Sequence, residues 1–116
     1  MYQIEYTTLF KRNLKKLAKK YPQIKQDLSN LLEQLENGIF KGEKLQEFSD
    51  SLLYKVRIGS TDQNKGKQGG FRVIYYIIDQ KNNIYLMTIY VKSQQSNLSH
   101  KQKQDIKELI KIFKTV

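Results

Sequence analysis

Two of the three arginines in this 116-residue chain, Arg57 and Arg72, flank a basic, glycine-rich loop. Along residues 52–58 the apolar side chains Leu52, Tyr54, Val56 and Ile58 alternate with Leu53, Lys55 and Arg57, a strand pattern that projects Lys55 and Arg57 from one face. Beyond the loop, Phe71-Arg72-Val73-Ile74-Tyr75-Tyr76 opens a second β-branched and aromatic run. If the two strands pair antiparallel with Ile58 opposite Phe71, Arg57 faces Arg72. Like charges so placed repel unless an anion lies between them, and a local conflict of this kind marks a functional site. Lys65 and Lys67 sit in the loop and Lys92 at the end of a third strand; residue pairs that sum to about 164 across the intervening turn bring Lys92 to the end of the sheet that holds Arg72.

The chemistry such a group offers is that of phosphate esters. Arginines hold phosphate oxygens bidentately, and a lysine crowded by other cations loses proton affinity and becomes a base. Tyr90, close to Lys92, can stack on a nucleobase or donate a proton. A solvated basic rim that only binds polyanions fits the same residues. The run Gly66-Lys67-Gln68-Gly69-Gly70 opens a strand rather than a helix and lacks the spacing of a triphosphate-binding loop.

The remaining segments must position these residues. Tyr2, Ile4 and Tyr6 alternate as a short strand, and Thr7 or Thr8 caps a helix over residues 9–20 whose apolar positions are Phe10, Leu14, Leu17 and Ala18. Pro22 ends it and suits the first turn of a second helix, with Ile24, Leu28, Leu31, Leu32 and Leu35 on one stripe and Asn37-Gly38 as its stop. Residues 39–51 read as a connection with a helical turn. Residues 71–79 and 84–92 form a hairpin about Gln80-Lys81-Asn82-Asn83. Ser99 and Gln102 make a capping box for a last helix with the stripe Ile106, Leu109, Ile110 and Phe113. The expectation is an α+β domain over residues 1–116. A four-stranded twisted antiparallel sheet carries a two-helix N-terminal hairpin on one face, with the C-terminal helix packed beside that hairpin.

Composition narrows the partners. The 21 Lys and Arg against 11 Asp and Glu leave a formal charge of +10, which favours a polyanion. No cysteine and a single histidine, His100, argue against disulfides, thiolate zinc sites and histidine metal clusters; no metal and no cofactor is expected. No stretch reaches the length of a membrane span and no secretion signal opens the chain, so the expected location is the cytoplasm, where the sequon Asn97-Leu98-Ser99 carries no meaning.

The order strand, two helices, three strands, together with Tyr54-Lys55-Val56-Arg57, Gly70-Phe71-Arg72-Val73-Ile74-Tyr75-Tyr76 and Ile89-Tyr90-Val91-Lys92-Ser93, resembles the RelE/ParE toxin superfamily. The Lys-Gly-Lys-x-Gly-Gly-Phe-Arg run and the Tyr-x-Lys-Ser-x-Gln tail are similar to its HigB-type branch. The resemblance implies a toxin of a type II toxin–antitoxin pair that enters the ribosomal A site, contacts ribosomal RNA and cleaves mRNA with the RNA 2′-hydroxyl as nucleophile, independently of metal. It implies catalytic roles for Lys55, Arg57, Arg72 and Lys92 and RNA contacts for Lys65, Lys67 and Tyr90, with Lys55, Lys92 and Tyr90 as candidate acid and base. Arg57 stands where RelE carries a lysine, and the C-terminal tyrosine of RelE has no clear match. The implied partner is a HigA-like antitoxin with a helix-turn-helix domain. Two other functions remain open: a ParE-like gyrase inhibitor and a non-catalytic RNA-binding module.

Overall fold

The alternation at the start of the chain forms β1 (Gln3–Tyr6), and Thr7 ends it by capping α1 (Thr8–Lys20). The Thr7 hydroxyl accepts the Phe10 N–H at 3.0 Å and donates to the Met87 carbonyl at 2.9 Å, which ties the helix start to a strand from the far end of the chain. A computed structural model describes residues 1–48, 52–66 and 69–114. In α2 (Ile24–Glu36) the stripe Ile24, Leu28, Leu31 and Leu35 is buried as its spacing predicts, although the helix starts at Ile24 and leaves Pro22 in the preceding turn. Gly38, at φ +76°, takes the left-handed conformation that ends the helix.

Three further strands follow: β2 (Glu43–Lys44), β3 (Leu53–Ile58) and β4 (Phe71–Ile78). A 3₁₀ turn at Asp79–Lys81, closed by Asn82 in the left-handed conformation, leads into β5 (Asn83–Val91), and α3 (His100–Lys114) completes the order. The expected capping box starts α3: the Gln102 N–H donates to Ser99 Oγ at 3.1 Å and the Ser99 N–H to Gln102 Oε1 at 2.8 Å.

The α+β class holds, with three corrections. Among the described residues the sheet has five strands in the order β1-β5-β4-β3-β2, because the connection after α2 adds the two-residue β2 against β3. It is mixed rather than antiparallel: β1 runs parallel to β5, with Ile4 opposite Ile84 and Tyr6 opposite Leu86. Parallel neighbours need a long crossover, here most of the chain, so no local signal announces the pairing. Finally, α3 does not lie beside α1 and α2. Those two helices cover a face that contributes Val56, Ile58, Phe71, Val73, Tyr75 and Ile77, while α3 sets Ile106 and Ile110 against Leu53, Ile74, Tyr76 and Met87 on the other face. Phe113 stacks on Tyr76 and Tyr85 with ring centroids 5.9 and 4.3 Å away. The reason is visible in β4, which is apolar on both faces and needs cover on both; each large side chain so buried contributes about 1.5–3 kcal/mol.

The small strand β2 depends on Gly42. At φ +102° its backbone passes so close to β3 that a Cβ there collides with the Lys55 carbonyl and lies 3.0 Å from Val56 Cα. The Tyr75 hydroxyl holds the same segment by donating to the Lys41 carbonyl. Gly42→Ala is therefore expected to displace β2 and to destabilise the protein by about 1–3 kcal/mol, read as a lower urea midpoint with unchanged slope. A native midpoint for Gly42→Ala refutes the close approach.

Candidate functional site

Antiparallel pairing of β3 with β4 sets Arg57 opposite Arg72, and pairing of β4 with β5 sets Arg72 opposite Tyr90. The three form a row across neighbouring strands, which lie ~4.8 Å apart in any sheet. The row occupies the face that α3 covers: Tyr90 packs in the α3 cluster, as do Ile74 and Tyr76, the next residues along β4 on this face. Lys55, two residues before Arg57, projects from the same face and lies opposite Ile74. The local reason is the alternation of β3, which buries Val56 and Ile58 under α2 and turns Lys55 and Arg57 away.

Burial differs sharply along the row. Arg57 is exposed, whereas Arg72 is 3% and Tyr90 4% exposed. Arg72 uses one guanidinium nitrogen to donate to the Phe71 carbonyl at 3.2 Å. Loss of solvent, and then the positive charge of Arg57, push its pKa below the ordinary arginine value, while Tyr90 acts in the opposite sense. These two destabilising influences are both relieved by an anion. Burial raises the Tyr90 pKa, opposed by Arg72 and reinforced by Glu43, so the phenol stays protonated at neutral pH. Its hydroxyl is buried and has no hydrogen-bond partner among the described residues, a donor left without an acceptor beside a cation.

The structure adds a residue that the sequence reading missed. Glu43 of β2 lies opposite Lys55, and its Oε1 is 3.4 Å from Lys55 Nζ. Together with Lys41, Gly42, Val56 and Arg57, the pair lines a cleft of about 360 Å³. The available signal was Gly42, which permits the close approach, but a two-residue strand has no periodicity to detect. Among the described residues no three His, Cys, Asp or Glu side chains gather as a metal site needs, and no helix is long and apolar enough to cross a membrane.

The other candidates fall elsewhere. Lys92 follows β5 and is half-buried; its N–H donates to the Gly70 carbonyl at 3.0 Å, and strand alternation continues the face of Tyr90 through it. It is therefore opposite Gly70 rather than Arg72, a register two residues away from the expected one that keeps the faces unchanged, because the short 3₁₀ turn pairs Ile78 directly with Asn83 and a bulge at Ile74/Tyr75 absorbs one residue. Lys65 pairs with Ser60 and lines a polar cleft of about 540 Å³ against α2, away from the arginine row. That part of the loop is clamped to α2. Asp27 accepts from the Thr61 N–H at 3.0 Å and from its hydroxyl at 2.6 Å, and Asp62 accepts from the Gln23 N–H at 2.7 Å. Lys67 lies outside the described residues. His100 opens α3 and is exposed.

A row of two facing arginines and a buried phenol, with an acid–lysine pair beside it, has the groups to bind a phosphodiester and move protons around it. The family model for the RelE toxin of the RelE/RelB toxin–antitoxin system matches residues 7–116. The crystal structure of the isolated E. coli RelE toxin is similar at a TM-score of 0.54 and 21% sequence identity, over 94% of this chain and 99% of that one, and shares its fold. With the family model matched over nearly its whole length, the chain belongs to the RelE toxin family.

Proposed function

We propose that this toxin is an endoribonuclease that cleaves mRNA in the ribosomal A site and thereby stops translation in the cytoplasm. The single observation that carries the reading is the buried Arg72 held between Arg57 and a Tyr90 hydroxyl that has no partner among the described residues. An RNA phosphate seated there receives bidentate bonds from the two guanidinium groups, and the negative charge that grows on its oxygens in the transition state relieves the repulsion between them. In the cleavage step the RNA 2′-oxygen bonds to phosphorus and the bond from phosphorus to the 5′-oxygen breaks. The 2′-hydroxyl proton passes to the Glu43–Lys55 pair, and the departing 5′-oxygen takes a proton, for which Tyr90 is the suited donor because it stays protonated. Lys92 flanks the row and supplies further positive charge for the substrate. Lys67 is the loop lysine proposed to extend RNA contact from the row, since Lys65 faces α2. The Lys-Gly-Lys-x-Gly-Gly-Phe-Arg run supports the HigB-type branch and, with it, a HigA-like antitoxin carrying a helix-turn-helix domain as the partner that restrains the toxin.

Primer extension on ribosomes programmed with a defined mRNA tests the reading. Arg72→Ala is expected to lower cleavage by about 10²–10³-fold, and Arg72→Lys to recover only part of it, since an ammonium restores charge but not the bidentate fork. A folded Arg72→Ala protein that cleaves at the native rate sinks the assignment. Absence of any cleavage by the native toxin, with growth still arrested, points instead to gyrase, which a supercoiling assay then decides.

Single-turnover kinetics separate the proton-transfer roles from simple binding. Tyr90→Phe is expected to slow the chemical step by about 10²-fold without weakening substrate binding, and to leave Tm equal or higher because it removes a buried unsatisfied hydroxyl. Glu43→Gln slows the same step. An unchanged rate in both variants leaves the row as a binding surface only.

A further inference from the structure

The loop after β3 is fixed from a distance, by α2. Within it the Ser60 N–H donates to the Lys65 carbonyl at 2.8 Å and the Lys65 N–H to the Ser60 carbonyl at 3.0 Å, a bridge that closes residues 60–65 into a compact turn. Two carboxylates dock this turn on the first turn of α2, and they cross in opposite directions. Asp27 of α2 accepts the N–H and the hydroxyl of Thr61, whereas Asp62 of the loop accepts the Gln23 N–H. Gln23 immediately precedes α2, and its side chain makes no capping hydrogen bond. The loop thus supplies the carboxylate that a helix start favours, and the helix supplies an acceptor to the turn. The partners stand 34 and 39 residues apart in the chain.

From the turn the constraint runs into the arginine row. The Gly66 carbonyl accepts the N–H groups of Gly69 and Gly70, each at 3.1 Å, and the Gly70 carbonyl accepts the Lys92 N–H at 3.0 Å. Gly70 lies so close to the end of β3 that a Cβ there collides with the Ile58 carbonyl and comes within 2.9 Å of Gly59 Cα. Gly59 and Gly70 in turn stand two residues from Arg57 and Arg72. The row needs such an anchor. Arg57 and Arg72 form the next-to-last pair of the β3–β4 ladder, followed only by Ile58 and Phe71. Ladder ends fray, and like charges set opposite each other drive the strands apart. A glycine-rich connection by itself does not oppose that splaying, because its backbone is free to follow. We propose that Asp27 and Asp62 are positioning residues for the arginine row: by docking the loop on α2 they hold Gly59 against Gly70 and so fix how Arg57 stands relative to Arg72. The effect on cleavage rests on the reading of that row as the nuclease site; the positioning itself does not.

Asp27→Ala and Asp62→Ala each remove one half of the clamp, and Thr61→Val, which takes away a single exposed hydroxyl, serves if Asp27→Ala folds poorly. Two readouts are taken well below Tm: the NMR signals of the Arg72 Nε–H and the Gly70 amide, and single-turnover cleavage on ribosomes programmed with a defined mRNA. Both signals are expected to move in each variant, and kcat to fall about 10- to 100-fold with KM near native, as for groups displaced from the geometry that the transition state needs. Thr61→Ser keeps both donors to Asp27 and is expected to retain the native signals and rate. Native signals in the folded Asp27→Ala, Asp62→Ala or Thr61→Val proteins overturn the inference, even where Tm falls, since the clamp then only stabilises. A native kcat in these variants overturns it as well. If the native protein cleaves nothing, the nuclease reading fails, and the Arg72 and Gly70 signals alone decide the positioning.

Discussion

Strand β4 has to be buried on both faces, and most of the architecture follows from that constraint. Its sequence, Phe71-Arg72-Val73-Ile74-Tyr75-Tyr76-Ile77-Ile78, offers apolar side chains to either side, so a single layer of helices cannot satisfy it. The N-terminal helical hairpin takes one face and α3 the other. The charged residue of the strand, Arg72, stands on the second face near its start and is nearly enclosed, between Arg57 of β3 and Tyr90 of β5.

Enclosing a guanidinium is costly, of the order of several kcal/mol per ion, and a second arginine opposite adds repulsion. In the proposed reaction a phosphate seated between the two arginines offsets part of that repulsion. The Tyr90 hydroxyl, buried and without an acceptor among the described residues, is the donor that the proposed substrate oxygen would meet. Glu43 balances the arrangement at its edge, and it reaches Lys55 only because Gly42 lets two backbones nearly touch.

The charge of the molecule is likewise unevenly spent. The acidic side chains Asp27 and Asp62 are engaged in clamping the loop after β3 to α2, whereas α1 carries six cations with no acid among them. One part of the surface is therefore used to fix backbone and the other to present unneutralised charge. That division explains why Lys65, which looks in sequence like one more member of the arginine cluster, instead faces α2: the clamp turns its part of the loop to the helix side.

Local periodicity determined a good deal by itself. The alternation of residues 52–58 and the run from Phe71 were enough to set Arg57 opposite Arg72, because a side-chain period of two and an antiparallel hairpin leave little freedom once one pair is chosen. The stripe of α2 and the Ser99–Gln102 capping box were equally legible, being written within a few consecutive residues. What only the tertiary structure decided is what depends on distant partners: β1 lying parallel to β5, α3 crossing to the second face, Glu43 meeting Lys55, and Tyr90 rather than Lys92 completing the row. Each of these is settled by which apolar face or free strand edge remains unburied after the rest has packed, a global quantity to which no single stretch of residues has access.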